Sequence, residues 1–256
     1  MSAVVIADRP APGVLRLRIN RPEKRNAVDF AVRDAMIEVL EAASGNTDTR
    51  ALLIGGVGGH LSAGGDVPSM GGLDAAAARA RLDHIHRLCR LVVTAPWPIV
   101  TAAEGAAAGA VVGLALLGDW VVAGPGTRFL LPFFRLGLIP DWGLMHTLPQ
   151  RIGLAAARRL VLGGGELRGE EAARIGLADT LVPDDEVADA ALARAVELAR
   201  LPRGAVAAAK MRWREPAPTL DEALRREADD QVALLTGDDF RAGHAAFKAK
   251  RAPVFD

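Results

Sequence analysis

Tyrosine is absent from this chain, and aromatic residues make up only 4% of its 256 positions. Alanine and glycine dominate instead, a composition that suggests helices packed close to a sheet. A single cysteine, Cys89, excludes an internal disulfide framework and any cysteine metal cluster. Charge of one sign is also missing: 31 basic residues meet 31 acidic ones, so no electrostatic footprint for nucleic acid is visible. No apolar stretch reaches the length of a membrane span. The opening MSAVVIADRP contains Asp8 and no long apolar run, so it does not read as a secretion signal. A soluble cytoplasmic protein is the expectation. What is present is a chain half hydrophobic, long enough to bury a substantial core as one large domain or two small ones.

Val4–Ala7 and Leu15–Ile19 read as strands joined by a turn over Pro10–Gly13. In the second, Leu15, Leu17 and Ile19 alternate with Arg16 and Arg18, which gives one buried face and one wet face. Asp29 can cap a helix whose apolar stripe is Phe30, Val32, Met36, Val39 and Leu40. Ala51–Ile54 is a short buried strand before the glycine-rich Gly55–Gly65. Gly56 and Gly58 match part of a dinucleotide fingerprint, but no third glycine and helix start follow where that motif needs them. Asp74 begins a helix that runs to about Val93. His84 and His86 stand two apart on it and face different ways, so they form no metal pair.

Pro98–Ala103, Trp120–Ala123 and Arg128–Leu131 read as further strands. Leu144–Ile152, Ala155–Leu162 and Gly169–Ile175 read as short helices, and the pattern is helical from Asp185 almost to the end. The order of strands and helices fits neither a solenoid of fixed repeats nor a doubly wound nucleotide fold. Thr101–Asp119 (TAAEGAAAGAVVGLALLGD) has no charge between Glu104 and Asp119. Its small residues let something approach the backbone closely, and Val111–Leu117 reads as a buried helix. The unpaired N–H groups of a helix start can polarise a carbonyl, although a tightly packed core helix explains the same residues. Asp141, in the turn before a helix near Gly143, reads equally as a cap or as an acid/base.

Six segments, in order, resemble the crotonase family, the enoyl-CoA hydratases and isomerases. They are Ile19–Val28 (INRPEKRNAV), Leu61–Asp66 (LSAGGD), Glu104–Ala110 (EGAAAGA) with Asp119, Leu136–Asp141 (LGLIPD), Glu171-Ala172 with Gly176-Leu177, and Ala246–Arg251 (AFKAKR). The resemblance implies an α/β fold, a spiral of strand–strand–helix turns with a C-terminal helical layer. It divides the chain into a spiral core over 1–195 and a helical oligomerisation region over 196–256, expected to support a homotrimer or hexamer. It implies an acyl-CoA thioester as substrate, with no cofactor beyond that coenzyme A, no metal, no nucleic acid and no membrane.

Position matching with the family places the oxyanion-hole N–H groups at Gly65 and Ala110. It places coenzyme A contacts at Lys24, Arg25, Ala63, Phe247 and Lys250, and the acyl pocket at Val67, Met70, Gly113, Phe133 and Trp142. The two glutamates of the family's hydratases fall at Gly113 and Phe133, so neither acid is present here. Asp141 remains, at a position where some isomerases carry their acid, and Leu138, Ile139 and Trp142 around it would raise its pKa by desolvation. Asp66 is expected to fix its turn, and His146 to sit in the core or line the pocket. The resemblance therefore implies Δ3–Δ2 isomerisation of an enoyl-CoA, with a hydratase of altered mechanism or a catalytically silent acyl-CoA binder as alternatives.

Overall fold

Alternating Leu and Arg side chains shape the first hairpin, in which β1 (Val5–Ala11) runs antiparallel to β2 (Val14–Ile19). Leu17 and Ile19 are fully buried, while Arg16 and Arg18 reach across to Asp8 on β1. A bulge between Asp8 and Ala11 carries β1 farther than the proline-bearing sequence suggests, and leaves a turn of Pro12 and Gly13. These coordinates are a computed structural model that describes residues 3–255. The chain continues through α1 (Phe30–Ser44), β3 (Ala51–Gly56), α2 (Ala75–Thr94) and β4 (Ile99–Ala103). Asp29 and Asp74 cap the two helices, accepting from the N–H groups of Val32 and Ala77 at 3.1 and 2.8 Å.

Next come β5 (Ala106–Ala108), α3 (Ala110–Leu116), β6 (Trp120–Ala123) and β7 (Arg128–Leu130). After them follow α4 (Leu144–Ile152), α5 (Leu154–Leu162), β8 (Glu166–Arg168), α6 (Gly169–Arg174) and β9 (Thr180–Leu181). The chain ends with α7 (Val187–Leu198), α8 (Arg203–Arg214), α9 (Leu220–Leu235) and α10 (Asp238–Lys248). Six strands form one sheet in the order β1-β2-β3-β4-β6-β9, parallel from β2 onward. Three more, β5-β7-β8, form a second small sheet, so the α/β spiral with a C-terminal helical layer is what the chain adopts.

Both faces of the large sheet are covered, which is why β3 is buried along its whole length. One face packs on α1, α2 and α3 through residues such as Ile54, Leu88 and Leu114. The other face packs on α7 through Val187, Ala191 and Ala195. Residue 195 thus lies inside a helix that covers the sheet. Beyond it, α8 and α9 contain no buried residue, and α10 only Ala246. An ion pair from Lys210 to Asp119 ties α8 to the sheet; Asp119 also accepts from the N–H of Ile99 at 2.8 Å. Among the described residues, no helix is long and apolar enough to cross a membrane, and no cluster of three or more metal-ligating side chains occurs.

Candidate active site

The polar loop after β2 is stitched to the segment 61–66 by backbone and amide groups. Asn26 holds a left-handed conformation (φ 59°), and its side-chain amide donates to the carbonyls of Val57 and His60 at 2.9 and 2.7 Å. Ser62 donates from Oγ to the Asn26 carbonyl at 2.6 Å and accepts from the Gly64 N–H at 3.0 Å. Val28 then pairs with Gly65 as a one-residue parallel bridge: its N–H reaches the Gly64 carbonyl, and its own carbonyl accepts from Asp66. On the other side Ser62 bridges to Ala107 of β5, so the segment 61–66 runs beside the chain that enters α3. Backbone pairing, rather than the Asp66 side chain, fixes this turn; the Asp66 carboxylate makes no cap hydrogen bond.

Gly109 sits between β5 and α3 at φ 51°, ψ −114°, a conformation that a residue with a Cβ rarely adopts. Its N–H is tied to Leu130, and the next residue, Ala110, is the first of α3. Among the described residues, neither the Gly65 N–H nor the Ala110 N–H has an acceptor. Both residues line one cavity of about 400 Å³. Val67, Met70, Phe133, Leu138, Ile139 and Trp142 supply much of its apolar wall, and Ala63 stands at its edge. Among the described residues, two charged ones line it, Asp141 and Arg81.

Asp141 does not cap the helix that follows. The cap of α4 is Gly143, and it is the Asp141 main-chain carbonyl that accepts from the Leu144 N–H at 3.0 Å. The carboxylate atom Oδ1 is buried without a partner. Burial pushes the acid above its ordinary pKa, against the pull of its own backbone N–H and of Arg81, His86 and Arg33. The carboxyl is thus partly buried, with Oδ1 unpartnered and its pKa raised.

The positions of the two missing acids are filled in different ways. Phe133 is buried and places its ring over Gly109 at the cavity wall. Gly113 is absent from the cavity wall: a Cβ there would stand 2.6 Å from Trp142 Cβ and 3.0 Å from the Trp142 carbonyl oxygen. Trp142 is itself buried in the left-handed region (φ 54°), which is unusual for a bulky residue. Gly113 therefore contributes by admitting the Asp141–Trp142 turn, not by lining the pocket as expected.

His146 is exposed beside Gln150, so it belongs to neither the core nor the pocket. Lys24 and Arg25 are exposed, and the Arg25 carbonyl accepts from the Ala63 N–H at 2.8 Å, which sets their loop next to the cavity edge. Phe247 and Lys250 are not brought to the cavity of their own chain; Phe247 is 83% exposed and lines a groove with Phe240 and Phe255. Sequence reading missed Arg81 and Arg33. Phe30, expected in the core, is 59% exposed and stacks on His84, while Arg33 of the same helix is 2% exposed.

Two residues whose backbone N–H groups have no acceptor among the described residues thus share one apolar cavity with a partly buried carboxylate on an α/β spiral. Residues 10–256 match the family model described as enoyl-CoA hydratase/isomerase, and the chain belongs to that family. It is 34% identical to the 1,2-epoxyphenylacetyl-CoA isomerase of Escherichia coli K12, with 95% of each chain covered. It is also 34% identical to the 2,3-dehydroadipyl-CoA hydratase of that organism, with 94% of each covered. The crystal structure of an enoyl-CoA hydratase from Polaromonas sp. JS666 superposes with a TM-score of 0.93 at 30% identity, covering 98% of this chain and 99% of that one. Hydratases and isomerases thus both stand among its relatives.

Proposed function

We propose that the protein isomerises a 3-enoyl-CoA to the 2-enoyl-CoA, with Asp141 as its single acid/base. The observation that carries this reading is that Asp141 is, among the described residues, the only carboxylate on the cavity wall that Gly65 and Ala110 share. The thioester oxygen would accept from the Gly65 and Ala110 N–H groups. Asp141 would take a proton from C2, and the electron pair would spread over C2–C4 and the carbonyl as a dienolate. The same carboxyl would return the proton at C4, leaving the double bond between C2 and C3. Donors already in place stabilise the developing oxyanion by several kcal/mol, because they need no reorganisation as charge appears. Adding water by the family's hydratase route calls for a second carboxylate, and Phe133 and Gly113 supply none. The proton transfer asks for no cofactor beyond the coenzyme A of the substrate.

The exposed apolar side chains of the last helices, among them Leu220, Val232 and Phe247, fit an oligomerisation region. In a trimer or hexamer, α10 of a neighbouring copy would bring Phe247 and Lys250 to the coenzyme held beside Lys24 and Arg25. The experiment for the chemical step is turnover of 3-hexenoyl-CoA followed by chromatography. Asp141→Asn keeps the shape and removes the base, so the rate should fall by roughly two to four orders of magnitude while thioester binding survives. Full activity in that variant sinks the reading.

A further inference from the structure

We propose that Arg81 binds a carboxylate carried by the acyl group, so that the substrate is the coenzyme A thioester of a dicarboxylic acid. This rests on the isomerase reading above for the placement of the thioester. Arg81, on α2, lines the cavity, where Asp141 is the only other charged group among the described residues. Its Nη2 lies 3.7 Å from where a Cβ on Gly65 would stand, so the guanidinium flanks the acyl chain close to the oxyanion segment. Among the described residues it donates no hydrogen bond, and no carboxylate comes within 4.0 Å of it. A guanidinium keeps its charge and presents five donors, and here they are left open to an incoming acceptor.

The surroundings add positive charge rather than remove it. Arg33 stands behind Arg81, almost fully buried, and its Nη1 has no partner. Burial first, and then repulsion by Arg81, bring the Arg33 guanidinium down to about 10. His86 faces Asp141 as well. Asp141 and Asp29 are the carboxylates that act on Arg33; Asp29 is already engaged by Arg21 at 2.9 Å, and Asp34 is engaged by His84, whose Nδ1 lies 3.3 Å from Arg33 Nε. Arg81 and Arg33 thus place two guanidinium groups near Asp141, and of the two only Arg81 borders the cavity, where a second anion can reach it. A neutral acyl chain brings no acceptor there. The phosphates of coenzyme A cannot serve, because the pantetheine arm holds them away from the thioester. A carboxylate can accept from Arg81 in the bidentate manner that guanidinium favours.

The test is calorimetric binding of saturated thioesters, which need no proton transfer: succinyl-, glutaryl- and adipoyl-CoA against butyryl-, pentanoyl- and hexanoyl-CoA. At one chain length or more, the diacid should bind roughly tenfold tighter or better, the factor expected of one charge-assisted hydrogen bond. Arg81→Met should abolish that preference and Arg81→Lys should retain part of it. If Arg81→Met does not fold, the parent and Arg81→Lys decide. No diacid preference in the parent at any length, or a preference that survives in Arg81→Met, overturns the proposal. If Arg81 only held Asp141 in place, its loss would change diacid and monoacid binding alike, and that equality also overturns it. Failure here leaves the isomerase reading standing, and a failed isomerisation assay leaves this binding preference to be measured as before.

Discussion

Gly113 offers the sharpest test of how the site is built, because it marks one of the positions where the hydratases of the family carry a glutamate. A Cβ on Gly113 would meet Trp142 Cβ at 2.6 Å, the Trp142 oxygen at 3.0 Å and the Asp141 oxygen at 3.3 Å. Two of these are backbone atoms of the Asp141–Trp142 turn, which cannot swing aside as a flexible side chain would. Ala in place of Gly inside a helix gains about 0.5–1 kcal/mol from the unfolded chain. Forcing a methyl into a packed core costs about 1–3 kcal/mol. Gly113→Ala should therefore lose up to about 2.5 kcal/mol, or up to about 10 °C in Tm for a domain near this size.

Gly113→Glu adds a carboxylate among Val112, Leu114 and Trp142, at a further cost of several kcal/mol, and should hydrate crotonyl-CoA no better than the parent. Trp142→Gly removes the opposing Cβ and suits the left-handed backbone at 142. Combined with Gly113→Ala it should cost less than the sum of the two single changes. Thermal unfolding followed by circular dichroism measures all four proteins. A Tm that rises in Gly113→Ala, or single effects that add to within about 0.5 kcal/mol, refutes the packing argument.

Ala110→Pro deletes the N–H proposed as an oxyanion donor at the first position of α3, where proline is well tolerated; kcat/KM should fall by about 10²–10³ with little change in Tm. For Asp141 the folded pKa is raised by burial, so the ionised carboxylate costs stability above that value. Asp141→Asn should thus raise Tm at neutral pH, and the gain should shrink as pH falls through the folded pKa and vanish below the ordinary carboxylate value. By the same shift, the acid limb of kcat/KM for isomerisation in the parent should lie above the range of a free carboxylate. Light scattering at micromolar concentration should give the mass of three or six chains; a monomer contradicts the oligomeric role given to the last helices.

Much of this was legible in the residues, for identifiable reasons. The alternation of Leu15, Leu17 and Ile19 with Arg16 and Arg18 marks β2, and Asp29 and Asp74 announce the two helix starts they cap. The ordered motifs locate Gly65, Ala110 and Asp141, and the fold brings all three to one cavity. The strand β5 was not legible, since three alanines carry little strand preference and only pairing with β7 and Ser62 makes them one. Arg81 and Arg33 were missed because arginine on a helix reads as a solvated face, and only the packing of α1 against α2 turns them inward. Gly113 signals a missing acid in sequence; that Trp142 packs against its Cα is a tertiary fact.

Isomerisation through Asp141 is best decided by running the parent protein and Asp141→Asn with a 3-enoyl-CoA in heavy water and reading the products by mass spectrometry and NMR. The account predicts the 2-enoyl-CoA as product, with deuterium entering the α-carbon of slowly converted substrate in the parent and not in Asp141→Asn. Accumulation of the 3-hydroxyacyl-CoA as the main product, or equal exchange in the variant, would contradict it.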